Sequence, residues 1–124
     1  MPLTNAYATF LAQASLGESV TAFNSSNARI GVGDGTTAFS SSQTDLQGTN
    51  KYRKGMDSGY PTRSGSTMTF QSTFGSSEAN FTWNEWGVFN ASSGGTMMNR
   101  KVESLGTKAS GSTWILRVQI TLSV

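Results

Sequence analysis

The chain contains no cysteine and no histidine. Without Cys there is no disulfide framework, thiolate zinc site, iron–sulfur centre or thiol nucleophile. Without His, triads that use imidazole and His-liganded metal sites are excluded. A charge switch near neutral pH would have to use a shifted carboxylate. Charge itself is scarce: 13% of 124 residues are Asp, Glu, Lys or Arg, and the formal net charge is +2. Nucleic-acid binders gather Lys and Arg on one face. Here the basic residues are scattered, with one local group at Lys51, Arg53 and Lys54. No apolar run approaches the ~18 residues of a membrane span. No charged start with an apolar stretch behind it marks a signal peptide. No nucleic acid and no membrane are therefore expected as partners.

Small and polar residues are abundant. Ser and Thr together number 35, and Gly adds 14. Hydrophobic residues make up 35%, enough for one modest core, so a single domain over 1–124 is expected. Asn24, Asn80 and Asn90 begin Asn-x-Ser/Thr sequons. Without a secretory signal these read as products of an Asn/Ser/Thr-rich composition.

One helix is predicted, within an N-terminal arm over 1–17. Thr4 or Asn5 can cap it. Tyr7, Phe10, Leu11 and Ala14 fall at i, i+3, i+4 and i+7, and Gly17 is a plausible stop. So short a helix must dock to persist, either on its own sheet or on a neighbouring subunit.

The rest reads as strands. Ala28 to Val32 is a short strand ended by Gly33-Asp34-Gly35. Lys51 to Met56 is a strand with a polar face near an edge. Residues 57–65 read as a loop. Thr67 to Phe74 alternates, with Met68, Phe70 and Phe74 on one side. Phe81 to Asn90 carries large residues on both faces: Phe81, Trp83 and Phe89 on one, Trp86 and Val88 on the other. Such a strand belongs at a sheet centre or against a partner. Residues 91–95 form a hairpin loop, Thr96 to Val102 returns, and 103–112 reads as a flexible polar loop. Trp114, Leu116, Val118, Ile120, Leu122 and Val124 alternate with mostly polar residues. This strand is expected in the middle of a sheet, its apolar row joining Phe70, Phe74, Phe81, Trp83 and Phe89 in the core. The fold class is all-β: an antiparallel β-sandwich with one short N-terminal helix.

Sites for chemistry are few. Gly31-Val-Gly33-Asp-Gly35-Thr fails the dinucleotide fingerprint, because Thr36 stands where Gly is needed and no helix follows. No Gly-Lys-Ser/Thr supports a phosphate loop. Asp34 among glycines is a weak Ca²⁺ candidate without the EF-hand pattern. Glu78 and Glu85 lie near Trp83 and Trp86, but two carboxylates out of seven do not make a hydrolase. Trp83 and Trp86 are candidates for stacking on a sugar, with core packing the default. Glu85, between two Trp residues, should be buried. An unpaired buried carboxylate is costly, so it should pair with Arg100 across the hairpin or cap backbone N–H groups. No catalytic residue, metal or cofactor is assigned.

Two stretches carry a resemblance. The first is Ile30-Gly-Val-Gly-Asp-Gly-Thr-Thr-Ala38, followed by Ser-rich residues and Thr44-Asp45-Leu46. The second is Asn84-Glu-Trp-Gly-Val-Phe-Asn90, the Gly94-Gly95 turn and Met97-Met-Asn-Arg-Lys-Val102. Together with the Leu3-Thr4-Asn5-Ala6 start, they resemble small virion proteins of tailed bacteriophages. Glu85, Gly87, Phe89, Gly94, Gly95 and Arg100 match a Glu-x-Gly-φ-Phe strand, small-residue turn and basic-ended return strand. Trp86 departs from the aliphatic residue more usual there.

The resemblance implies a non-enzymatic virion component assembled in the reducing cytoplasm of a bacterial host. A long fibre would show repeats or heptads, and this chain has neither. The expected role is therefore a capsid decoration (cement) protein bridging major capsid subunits. A tail fibre, tail-tip or glycan-binding receptor module is the alternative. A homo-oligomer, such as a trimer, is plausible. Met1, Leu3, Tyr7, Phe10 and Leu11 would form an arm over a neighbour. Lys51, Arg53 and Lys54 would face an acidic surface of the major capsid protein or another virion protein. Glu85, Gly87, Phe89, Arg100, Trp83 and Trp114 are expected to be structural.

Overall fold

Thr4 starts the helix as expected. Its backbone is extended and its side-chain oxygen accepts from the Tyr7 N–H at 3.1 Å. Helix α1 spans Asn5–Ser15, and Gly17 (φ 77°) follows its last turn. An 11-residue helix is marginal alone. The cap contributes about 1 kcal/mol, and burial of the Tyr7 side chain about 2 kcal/mol. Tyr7 packs with Phe10 and Phe23 in a three-ring cluster, and Leu3 and Leu11 join the same core. The computed structural model describes residues 2–124; the expectation for Met1 lies outside them.

Seven strands follow: β1 (Arg29–Gly33), β2 (Lys51–Gly55), β3 (Thr62–Ser64), β4 (Thr67–Phe74), β5 (Thr82–Phe89), β6 (Lys101–Thr107) and β7 (Trp114–Thr121). They form two antiparallel sheets, β2-β1-β5-β6 and β3-β4-β7. The chain is thus an all-β sandwich with one N-terminal helix. Between the sheets lie Ile30 and Val32 from β1, Trp86 and Val88 from β5, Phe70 and Phe74 from β4, and Val118 and Ile120 from β7. Period-two alternation places all eight on inner faces.

Several expectations are corrected. Strand β7 is an edge of the three-stranded sheet, not its middle. Its inner row is accordingly uneven: Val118 and Ile120 are buried, Trp114, Leu116 and Leu122 half-buried, and Val124 exposed. Alternation reveals which face is apolar, not how many neighbours a strand has. Residues 57–65 contain the short edge strand β3. The return strand begins at Lys101 and runs to Thr107, through part of what composition suggested was a flexible loop. Met97 and Asn99 before it make isolated bridges, to Phe89 and Leu3. Lys108, from the same supposed loop, is buried and donates to Gly75 O and Asn80 Oδ1 at 2.6 and 2.8 Å.

Trp83 is on the other side from its expected neighbours. The β5–β6 register shifts between Trp83 and Glu85. Strict alternation therefore breaks there, and Trp83 joins Trp86 and Val88 in the main core. It stacks edge-on with Phe74 and Trp114 at 4.8 and 5.0 Å. Phe81 packs only partly against that core. Phe89 belongs to a second cluster with Leu46 and Met97, on the opposite face of β5.

Candidate functional site: a buried carboxylate clamp

Strand β5 sits inside its sheet, and its second face is also covered. That face presents Glu85, Gly87 and Phe89. Opposite them on β1 stand Gly33, Gly31 and Arg29. The segment from Asp34 to Asn50 covers this face as a closed loop. Its neck is sealed by Asp34: Asn50 N–H and Nδ2 donate to its carboxylate at 3.1 and 2.8 Å, and Asp34 N–H donates to Asn50 O at 3.1 Å. The Asn50 hydrogen bonds hold the Asp34 carboxyl below its usual range.

Glu85 holds that loop from below. Its side chain has no solvent exposure, nor has that of Arg100. Arg100 Nε donates to Oε1 at 2.7 Å. Gln47 N–H donates to Oε1 at 2.8 Å, and Gly35 and Gly48 N–H donate to Oε2 at 2.8 and 2.7 Å. One carboxylate thus satisfies three backbone donors of a loop that forms no sheet ladder there. Both alternatives for Glu85 hold at once: it pairs with Arg100 and it caps backbone N–H groups. Arg100 Nη1 donates to Gln43 Oε1 at 3.2 Å, which ties the Ser-rich part of the loop to the same centre. Arg100 Nη2 is buried and has no hydrogen-bond partner among the described residues.

The glycines of the first stretch now have a reason beyond turn-making. A Cβ on Gly31 would come within 2.6 Å of the Phe89 ring, and one on Gly35 within 2.5 Å of Glu85 Oε2. On Gly33 it would strike the Glu85 carboxylate, and on Gly87 the Asn99 carbonyl. These positions leave room for the clamp and for close passage of the 97–100 segment. The two stretches singled out in the sequence therefore meet in space at Glu85. Sequence reasoning paired Glu85 with Arg100 but missed Gly35, Gln47 and Gly48 as donors, because loop closure leaves no local signal. It also missed Gln43.

The arm residues are engaged within the chain. Residues 2–4 lie along the 97–100 segment, joined to it by one isolated β-bridge at Leu3. Arg100 N–H donates to Pro2 O at 3.2 Å, Thr4 N–H to Met98 O at 3.1 Å, and Thr4 Oγ1 to Met97 O at 2.5 Å. Leu3 bridges Asn99. Leu3, Tyr7, Phe10 and Leu11 thus pack on their own domain, not as a loose arm.

The basic group is also not a patch. Alternation along β2 sends Arg53 to the face of Gly31 and Lys54 to the other. Lys51 and Arg53 pair with Asp45 at 3.1 and 3.4 Å, and the Arg53 guanidinium lies 3.6 Å over the Phe89 ring. On the opposite face Lys54 and the Tyr52 hydroxyl donate to Glu78 at 2.7 and 2.8 Å. The Lys54 bond, the Gly75 N–H and the Tyr52 hydroxyl hold the Glu78 carboxyl at about 2. Each cation has an acidic partner, Lys51 and Arg53 sharing Asp45, and the three divide between the two faces of β2 instead of forming one patch.

Chemically, the centre is closed. Glu85 has four donors on it and no path to a substrate. Glu78 is tied to Lys54 and Tyr52. Trp83 and Trp86 are 1% and 3% exposed, so neither ring offers a platform for a sugar, and Trp86 Nε1 donates to Glu103 at 2.8 Å. No group of acidic residues among those described is arranged to hold a metal ion, Asp34 included. The chain matches no protein-family model, no curated protein and no solved structure.

Proposed function

We propose that this protein is a non-enzymatic structural component of a tailed-bacteriophage virion, acting as a capsid decoration protein that bridges major capsid subunits. The observation that carries this reading is the convergence at Glu85. Both stretches that resemble phage virion proteins are spent on one solvent-free clamp that pins a long loop to a β-sandwich. Residues invested in this way make a stiff body. A stiff body suits a subunit whose task is to hold neighbours in register. The outer strand faces, rich in Thr, Ser and Gln, offer hydrogen bonds at low desolvation cost. On this reading bridging falls to the sandwich surface, because the N-terminus docks on its own domain and the cations have acidic partners.

The test is the copy number in purified virions. A decoration protein is present in hundreds of copies, and particles lacking it lose resistance to heat. A count near a dozen or fewer refutes the decoration role and points to the tail.

A further inference from the structure

The sandwich is one strand short on one side. Four strands face three. Strand β6 ends the larger sheet, and the residues on its inner side, Lys101, Glu103 and Leu105, are only partly covered. The side chains of Lys101 and Glu103 remain 44% and 39% exposed. Below them runs the free edge of β7. Between the two lies a groove of about 400 Å³, lined by Trp83, Leu105, Thr113, Trp114, Ile115 and Leu116. Ile115 at its rim is 63% exposed.

The backbone register shows what that edge offers. Leu122 N–H donates to Ser66 O at 3.0 Å, so even-numbered residues of β7 turn their polar groups toward β4. Gln71, opposite Arg117, uses its carbonyl on Asp57 N–H, on the side of β4 away from β7. Antiparallel pairs alternate in this way. The N–H and C=O groups of Ile115, Arg117, Gln119 and Thr121 therefore face the open edge. Most of the usual protections of an edge are missing: β7 has no proline, no bulge against β4 and a single charge.

We infer that β7 is a strand-addition site that takes one extended segment of a partner polypeptide beneath β6. The segment has apolar side chains at alternate positions and an acidic residue on the outward side. The apolar positions follow from the groove, where they would meet Leu105, Trp114 and Leu116. The acidic residue follows from Arg117. It stands in the middle of the edge strand; its Nε reaches the Gln71 amide oxygen at 2.8 Å and its guanidinium lies 5.9 Å from the centre of the Tyr60 ring. It has no carboxylate partner among the described residues. A second copy joined edge to edge is the competing occupant, and the oligomeric state of the free protein separates the two. A single strand fits, as in other β-augmentation sites. The inference goes beyond the assembly role and stands whether or not the partner belongs to a virion.

The probe is a synthetic, end-capped peptide of about ten residues, alternating valine and threonine, with glutamate replacing a central threonine. A second peptide carries lysine at that place. On binding, the glutamate peptide slows amide exchange at Ile115, Arg117, Gln119 and Thr121, leaves Leu116, Val118 and Ile120 unchanged, and shifts Trp114 emission. Gln119→Pro removes one outward N–H without touching the β4 ladder, and weakens binding by about tenfold, the worth of one ladder hydrogen bond. Arg117→Glu reverses the preference to the lysine peptide, which decides the matter even where the proline variant folds poorly. Unchanged exchange at these four amides under saturating peptide overturns the proposal. So does a free protein that sediments as a dimer with the same amides already protected, since a second copy then holds the edge.

Discussion

Replacing Glu85 by Gln tests whether the clamp holds the fold together. The side chains have almost the same shape, so packing is kept and charge is lost. The Arg100 guanidinium, fully buried beside it, then has no counter-ion. The amide also offers one oxygen where the carboxylate offered two. Four donors now reach the carboxylate, from Arg100, Gly35, Gln47 and Gly48. The amide group turns N–H toward at least one of them. Removing one partner of a buried pair costs about 3–5 kcal/mol, against a total of about 5–15 kcal/mol for a domain of this kind. At about 4 °C per kcal/mol the melting temperature falls by about 12–20 °C. Urea denaturation followed by circular dichroism measures the loss, with the denaturant slope unchanged if the native state stays compact. Glu85→Leu combined with Arg100→Met removes both charges, and should be at least about 2 kcal/mol more stable than the sum of the two single changes. A loss below about 1 kcal/mol for Glu85→Gln would refute the clamp, since the pair would then be no more than spectators of the loop.

Further outcomes follow from the same geometry. Gly33→Ala places a methyl group against the Glu85 carboxylate and should cost about 2 kcal/mol; in the Glu85→Gln background the cost should not add in full, as paired melts would show. Thr4→Ala loses the cap on Tyr7 N–H and the bond to Met97 O, about 1–2 kcal/mol, with the loss of helix signal and of Tyr7 burial followed by NMR. The Glu78 carboxyl, lowered to about 2, adds stability that is present above its ordinary value of 4.5 and is lost as pH falls toward 2. Lys54→Met should raise its titration midpoint and flatten the acid side of the stability curve, read by carbon NMR of the carboxyl and by melts between pH 6 and pH 2.

Much of the fold was legible because it rests on local periodicity. The 3.6-residue stripe of Tyr7, Phe10 and Leu11 and the two-residue stripe of Phe70 and Phe74 require no knowledge of neighbours. The Asn24 and Gly94-Gly95 turns are equally local: Asn24 Oδ1 accepts from Ser26 and Asn27 N–H, and both glycines have positive φ. The Glu85–Arg100 pairing was legible for a different reason. A lone carboxylate in an apolar strand must find a cation, and the hairpin brings Arg100 nearest. Face assignment failed at Trp83, where the register shift breaks the alternation that carried the inference. It failed again for Lys51, Arg53 and Lys54. Adjacent in sequence, they divide between opposite faces of β2 and find Asp45 and Glu78 from distant loops.

The sequence by itself determined most of the elements and excluded the chemistry that needs Cys or His. Those exclusions depend only on residue type, and alternation dictates which residues point inward wherever the strand register is unbroken. Tertiary structure alone decided which strands lie at the edges, where the N-terminus docks, and what the glycines of the first stretch are for. Those outcomes are set by long-range pairing. Whether β7 is central or free depends on strands far from it in the chain. Gly31, Gly33 and Gly35 earn their place only once Phe89 and Glu85 are brought against them.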